Sequence, residues 1–161
     1  MFEDAAPRRR REAEGVLGVR RLIRRTFLQV VSAAAAGCGG TGEGATAPSG
    51  PLAAGNIKDI PVGFLAFVAG QAAILGRDAG GLYAMTGICT HRQCSMADHG
   101  GIEVDGIRCD CHQSHYNRDG VVRSGPAPTA LAHFEVTLGA DGAVVVQCGT
   151  VVPASARTKV L

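Results

Sequence analysis

From residue 56 onward, hydrophobic positions fall in short runs separated by turn residues, with no useful stretch at helical i, i+3, i+4 spacing. The runs at 57–62, 64–68, 72–75 and 82–85 predict strands, with breaks at Gly63, Gly70 and the Asp-Ala-Gly-Gly sequence at 78–81. Residues 102–104 and 107–109 flank Asp105-Gly106, a two-residue hairpin signal. The runs 133–138 and 143–148 flank Gly139-Ala140-Asp141-Gly142 and predict a second hairpin, and Val121-Val122 follows a turn at Asp119-Gly120. The pattern predicts an all-β head over residues 56–161 without internal repeats.

The chain before residue 56 reads differently. Residues 1–25 are polar and arginine-rich, and the apolar stretch that follows, 27–36, is short and runs into Ala35-Ala36-Gly37-Cys38. A basic region, a short apolar region and a small-residue cleavage site make 1–37 an expected export signal. The pair Arg24-Arg25 before Thr26-Phe27-Leu28 resembles a twin-arginine signal, which exports proteins already folded. Ala-Ala-Gly-Cys resembles a lipobox, so Cys38 is the expected lipidation site, placing the head on a membrane outside the cytoplasm. A basic arm on a cytosolic protein and an uncleaved signal anchor are the competing readings, and the shortness of the apolar stretch argues against the anchor. Residues 38–55, with six Gly between 39 and 55, are expected to be a flexible tether. Fully extended, it would reach about 55 Å. Gly37-Cys38-Gly39-Gly40-Thr41-Gly42 matches G-x-G-x-x-G, but a signal segment precedes it and Gly-rich chain follows, so the match carries no dinucleotide site.

Composition narrows the classes. At 161 residues the chain has room for one ordinary domain, and it contains no apolar run long enough to predict a membrane-spanning helix. The formal charge of +2 hides a split: positions 1–37 hold 8 of the 16 basic and 4 of the 14 acidic side chains, leaving 8 basic against 10 acidic afterwards. The head therefore lacks the positive surface expected of a nucleic-acid-binding domain.

Four of the six cysteines lie between positions 89 and 111, in two boxes. The first is Cys89-Thr90-His91-Arg92-Gln93-Cys94 and the second is Cys109-Asp110-Cys111-His112-Gln113-Ser114-His115-Tyr116. Each offers a Cys and a His at chelating distance, and the stretch between His91 and Cys109 contains the Asp105-Gly106 hairpin signal that would set the boxes side by side. Thiolate with imidazole also suits tetrahedral zinc, which leaves the two further cysteines unexplained. His99, His115 and His133 are read as surface or strand histidines, and Cys148 as a small buried hydrophobe or a reactive thiol.

With the lead-in at 59–63 and the Gly125-Pro126-Ala127-Pro128 loop, these boxes closely resemble the Rieske iron–sulfur family across residues 56–161. The resemblance implies three stacked antiparallel sheets with a cluster-binding subdomain at about 86–128. It implies a [2Fe-2S] cluster with Cys89 and Cys109 on one iron, His91 and His112 on the other, and Cys94 paired with Cys111 in a disulfide. Two neutral imidazoles in place of thiolates make an added electron more welcome, raising the potential into the range of roughly −150 to +300 mV. Ser114 and Tyr116 match positions that donate to a bridging sulfide and a cysteine sulfur in high-potential members, so the upper part of that range is expected. The outer N–H of each histidine ligand is expected to couple proton to electron uptake at alkaline pH.

The expected function is one-electron transfer between redox partners, a quinol or a cytochrome among them, without a catalytic site of its own. The alternative is a subunit of a larger oxidoreductase, of cytochrome bc or arsenite-oxidase type. Arg92 and Gln93 replace the Leu-Gly frequent in quinol-oxidising subunits, and Asp110 and Gln113 replace the frequent Pro and Gly of the second box. A charged Arg92 beside the cluster is expected to disfavour docking into an apolar quinone pocket.

Overall fold

The computed structural model describes residue 45 and residues 49–160. The expected export signal with Arg24 and Arg25, and the lipidation site Cys38, lie outside the described residues. Ten strands form two antiparallel sheets: β1 (Pro51–Asn56), β2 (Leu65–Phe67), β3 (Ala73–Asp78), β4 (Gly81–Thr86), β9 (His133–Leu138) and β10 (Ala143–Val152) in one, and β5 (Gly100–Ile102), β6 (Gly106–Cys109), β7 (Ser114–Asn117) and β8 (Val122–Ser124) in the other. The larger sheet runs β1-β10-β9-β4-β3-β2 and the smaller β5-β6-β7-β8. The all-β expectation holds. Two hydrogen-bonded sheets replace the three implied, because β9 bonds β10 along its length and also β4 at Ala84↔Phe134 and Met85↔His133, fusing the strands into one sheet.

The β3–β4 hairpin organises the interior. Its period-two alternation puts Ala73, Leu75, Leu82 and Ala84 into a core with Leu52, Phe134, Val136, Val144 and Val146. The alternate residues Ile74, Tyr83 and Met85 enter a second core with Cys89, Cys94, Met96, Ile107, Cys109 and Tyr116. Every residue of β4 is buried, as a strand apolar on both faces requires. The hairpin is thus the wall between the scaffold and the cysteine-bearing end.

Two expectations fail at the start of the head. The tether expected to end at residue 55 ends earlier, because β1 pairs with β10 at Pro51↔Gln147 and Leu52↔Val146 and buries Leu52. Proline is tolerated as the first residue of such an edge strand. Ala45 is buried as well; its N–H bonds the Gln93 carbonyl at 3.1 Å and its side chain packs with Ala72 and Ile88. The strand expected over 57–62 is instead a 3-10 turn, Ile57–Asp59, because the Asn56 side chain accepts from the Lys58 N–H at 3.2 Å.

The first predicted hairpin forms one residue early: Glu103 and Gly106 close the turn, with Val104 and Asp105 at its tip. Gly106 is required inside β6, not in the turn, since a Cβ there would meet the Tyr116 carbonyl and lie 2.9 Å from Asn117 Cα. The C-terminal segment is pinned by Arg157, which bonds Asp78 at 2.6 Å and Asp119 at 2.8 Å and lies 4.2 Å from the Tyr83 ring centroid.

Candidate metal centre

Both boxes are loops anchored by strand ends. In the first, Gln93 N–H bonds the Cys89 carbonyl and Cys89 N–H bonds the Cys94 carbonyl, both at 2.9 Å, closing the turn that presents His91. The second is the loop between β6 and β7, where Cys109 pairs with Ser114 and His112 sits at the tip. Gly100↔Cys109 pairing and an Asp110 N–H bond to the His99 carbonyl at 2.8 Å set the chain leaving the first box against the second, as the hairpin signal suggested. Cys94 and Cys111 form a disulfide across the boxes, with Cα atoms 6.7 Å apart.

Within this frame Cys89 and Cys109 are free thiols, 2% and 1% exposed. Burial pushes the Cys109 thiol up, while the N–H groups of Cys111 and His112 donate to its sulfur and pull the other way. The His91 and His112 rings meet edge to face with centroids 4.6 Å apart. Desolvation, helped by His112 and Arg92, holds the His91 imidazole below its usual value, in the neutral form that binds metal. His91 Nδ1 is buried and has no hydrogen-bond partner. A buried ring nitrogen without a partner in the first box, and two buried soft thiols, one in each box, are the donor types a thiolate–imidazole iron–sulfur cluster needs. The three sulfurs of Cys94, Cys109 and Cys111 also lie within 4.8 Å of one another, but two of them are spent in the disulfide.

The surrounding hydroxyls can be counted proton by proton. Tyr116 Oη lies 3.3 Å from Cys89 Sγ, accepts from the Thr90 N–H at 3.1 Å and is 3.2 Å from Thr90 Oγ1. Thr90 Oγ1 gives its own proton to the Thr129 carbonyl at 2.8 Å, so it has none to give Tyr116, whose single phenolic proton is left for the Cys89 sulfur or the Thr90 oxygen. Burial pushes the Tyr116 phenol up to about 12, which keeps it a donor toward the Cys89 sulfur at ordinary pH. Ser114 is fully buried and accepts from the Ala127 N–H at 3.2 Å, leaving its proton for another acceptor. Gly125, at φ +89°, brings the Pro-containing loop so close to the second box that a Cβ would stand 2.6 Å from Ser114 Cα.

Of the residues singled out in the sequence, the structure brings together Cys94, Cys109 and Cys111, sets His91 against His112 and Cys89 against Tyr116, and pairs Ser114 with Cys109. Thr90 and Thr129 were missed; Thr90 is legible in hindsight as the hydroxyl beside Cys89, whereas nothing local marks Thr129. His99 is exposed, His115 is half-buried 3.8 Å from Glu103, and His133 is buried with Nε2 3.0 Å from the Asp119 carbonyl. Cys148 is buried in the scaffold core, away from both boxes in sequence.

The family model of the Rieske [2Fe-2S] domain matches residues 51–135, a start that coincides with β1. A cytochrome b6-f complex iron-sulfur subunit of Chlorobaculum tepidum is 35% identical over 97 residues, covering 59% of this chain and 52% of the relative. A ubiquinol-cytochrome c reductase iron-sulfur subunit of Rickettsia prowazekii is 52% identical over 46 residues, covering 29% of this chain and 25% of the relative. The chain thus matches about half or less of the length of these relatives. A solved complex of reduced oxygenase and oxidized ferredoxin in carbazole 1,9a-dioxygenase aligns with TM-score 0.46 and 27% identity, over 64% of this chain and 96% of that one. With the family model spanning more than half of its length and both boxes, the chain belongs to the Rieske [2Fe-2S] domain family, whose domain binds a [2Fe-2S] cluster.

Proposed function

We propose that this protein is a one-electron carrier of the high-potential Rieske type, working at a membrane surface outside the cytoplasm. Electron transfer by a Rieske cluster follows from the family. The observation that supports the residue assignment is the pairing of two buried free thiols with two touching imidazoles, one with an orphaned buried nitrogen. On this reading Cys89 and Cys109 hold one iron, and His91 and His112 hold the other. The bound cluster supplies a site that gains and loses one electron.

The chain's own residues supply the rest. Tyr116 keeps its proton and donates to the Cys89 sulfur, favouring the more negative reduced form, and Ser114, two residues earlier on the same strand, has a proton to donate. The N–H groups of Cys111 and His112 act in the same direction on Cys109. The disulfide and the loop at 125–128 hold both boxes and exclude water from the sulfur side, while His91 and His112 form the outer end. Export through Arg24 and Arg25 and lipid attachment at Cys38 suit a protein whose cluster is built before translocation and whose boxes are locked by a disulfide.

Metal analysis combined with EPR after dithionite reduction tests the assignment. Iron with a reduced-state signal, lost in Cys109→Ser and in His112→Ala, supports it; zinc without a signal overturns it. A second reading, a subunit of a cytochrome bc-type complex, is favoured by the names of the relatives, which are complex subunits. Co-purification from membranes with a haem-bearing subunit would replace the free carrier by that reading.

A further inference from the structure

Around His91 and His112 the rim is polar, and it holds a charge without a partner. Arg92 is exposed, directly follows His91, and makes no ion pair among the described residues. The carboxylate on the opposite loop, Asp110, is taken by Arg108, which also bonds Glu103 at 2.7 Å. Exposed Asp98 lies four residues beyond Cys94 on the same segment and likewise makes no ion pair among the described residues, and His115 faces Glu103. Gln93 and Gln113 are both exposed and follow the two histidines by two residues and by one. They are also the only non-glycine residues among those described with positive φ, at 56° and 60°. The left-handed backbone at both tips therefore carries amide side chains where glycine would sit without strain. Among the described residues, the large hydrophobics that are exposed, Val62, Val104, Val121 and Val151, all lie outside the two boxes.

An apolar pocket closing over this end would desolvate Arg92 without supplying a counter-charge, an arrangement that opposes binding. A carboxylate-bearing partner supplies that charge and offers acceptors to the glutamine amides. Resting on the electron-carrier reading above, we infer that the histidine end of this protein is a docking face for a redox protein that presents carboxylates around its own redox centre, with Arg92 as the residue that selects it. The head outside the export signal is acidic overall, with 8 basic against 10 acidic side chains, so the selection is local to this end.

The test uses the cluster-loaded full chain and small oxidants of opposite charge. The reduced protein gives one electron to ferricyanide, forming ferrocyanide, or one to tris(phenanthroline)cobalt(III), forming the cobalt(II) complex; both rates are read by stopped flow. Arg92→Gln should slow the ferricyanide reaction roughly tenfold at low ionic strength, as expected for removing a unit charge close to a trianion. Arg92→Lys should stay within about twofold of the parent. The cobalt rate should be unchanged or rise, and salt at about 0.5 M should erase the ferricyanide difference. Redox-inert hexacyanocobaltate(III) should give binding heat with the parent and Arg92→Lys, and none with Arg92→Gln. Equal slowing with both oxidants, an unchanged ferricyanide rate, or undiminished hexacyanocobaltate binding in Arg92→Gln would overturn the proposal. Failure of the electron-carrier reading looks different: neither oxidant draws an electron from the parent, whatever residue 92 is.

Discussion

The two faces of the β3–β4 hairpin look onto interiors built by different means. On one side five strands, β1, β3, β4, β9 and β10, contribute Leu, Val, Ala and Phe, and burial of apolar area does the work. On the other side, strands of three and four residues contribute only Ile107, Cys109 and Tyr116 to the buried hydrophobic cluster, with Met96, Ala127 and Leu131 from loops, too little apolar area to order the loops by itself. Cross-links replace area there: a disulfide, a hydroxyl chain from Thr129 through Thr90 to Tyr116, and an N–H from Ala127 to Ser114. Scaffold and site share a wall yet answer to different chemistry, so the site should be able to fail without the scaffold, whereas loss of the scaffold takes the site with it.

Leu82→Ala is the largest way to break the scaffold side. Leu82 is 0% exposed at the centre of the larger sheet, and deleting its side chain should cost about 2–5 kcal/mol. Denaturation followed by far-UV circular dichroism and by cluster absorbance should then shift together, because the cluster end has no sheet to rest on without β3 and β4. Replacing both Cys94 and Cys111 by Ser should act on the other side. The bond spans 17 residues, for which loop-closure entropy gives about 3 kcal/mol. Hydrogen exchange should accelerate in β6 and β7 and around both boxes while β3, β4 and β9 keep their protection. Uniform loss of protection would mean that the two sides are one cooperative unit.

Gly106→Ala probes the seam between β6 and β7. The added methyl meets the Tyr116 carbonyl, and forcing it in should cost roughly 1–3 kcal/mol. Its diagnostic is a change in midpoint potential with little change in the scaffold's circular dichroism, since β7 carries both Ser114 and Tyr116.

Tyr116→Phe isolates the tuning bond itself. Losing a donor worth about 1 kcal/mol to the reduced form should lower the potential by roughly 40 mV, because tenfold in a one-electron equilibrium is about 59 mV. Ser114→Ala should act in the same direction. Voltammetry on the purified protein reads both. An unchanged potential in both variants would leave the Tyr116 and Ser114 hydroxyls with a purely structural role.

How much of this was legible in advance follows from the range of the interactions. The boxes announced themselves because metal-binding residues must recur at short spacing, and β2, β3, β4, β9 and β10 followed local alternation and glycine punctuation. β1 did not, since Pro51-Leu52-Ala53-Ala54-Gly55-Asn56 has the composition of a linker and becomes a strand only by pairing with β10, the last strand in the chain. β7 was hidden inside the second box, whose side chains are read for chemistry before alternation. The Arg157 bridge to Asp78 and Asp119 joins positions 79 and 38 residues apart, which no local pattern signals.

The smallest effect separates the two glutamines at the tips. Both hold left-handed backbone, at φ 56° for Gln93 and 60° for Gln113, where a side chain costs roughly 1–2 kcal/mol relative to glycine. Glycine also loses more freedom on folding, by about 0.5–1 kcal/mol, so the net gain from substitution is roughly 0–1.5 kcal/mol. At Gln93 no side-chain hydrogen bond among the described residues offsets that gain, and Gln93→Gly should raise the thermal midpoint by a few degrees. At Gln113 the amide donates to the Asp110 carbonyl at 3.1 Å, a bond worth about 1 kcal/mol at most on this exposed loop, so Gln113→Gly should leave the midpoint nearly where it was. Calorimetry of the two variants reads the difference. If Gln113→Gly stabilised as much as Gln93→Gly, the amide bond to Asp110 would contribute nothing, and the second box would be held by its strands and disulfide alone.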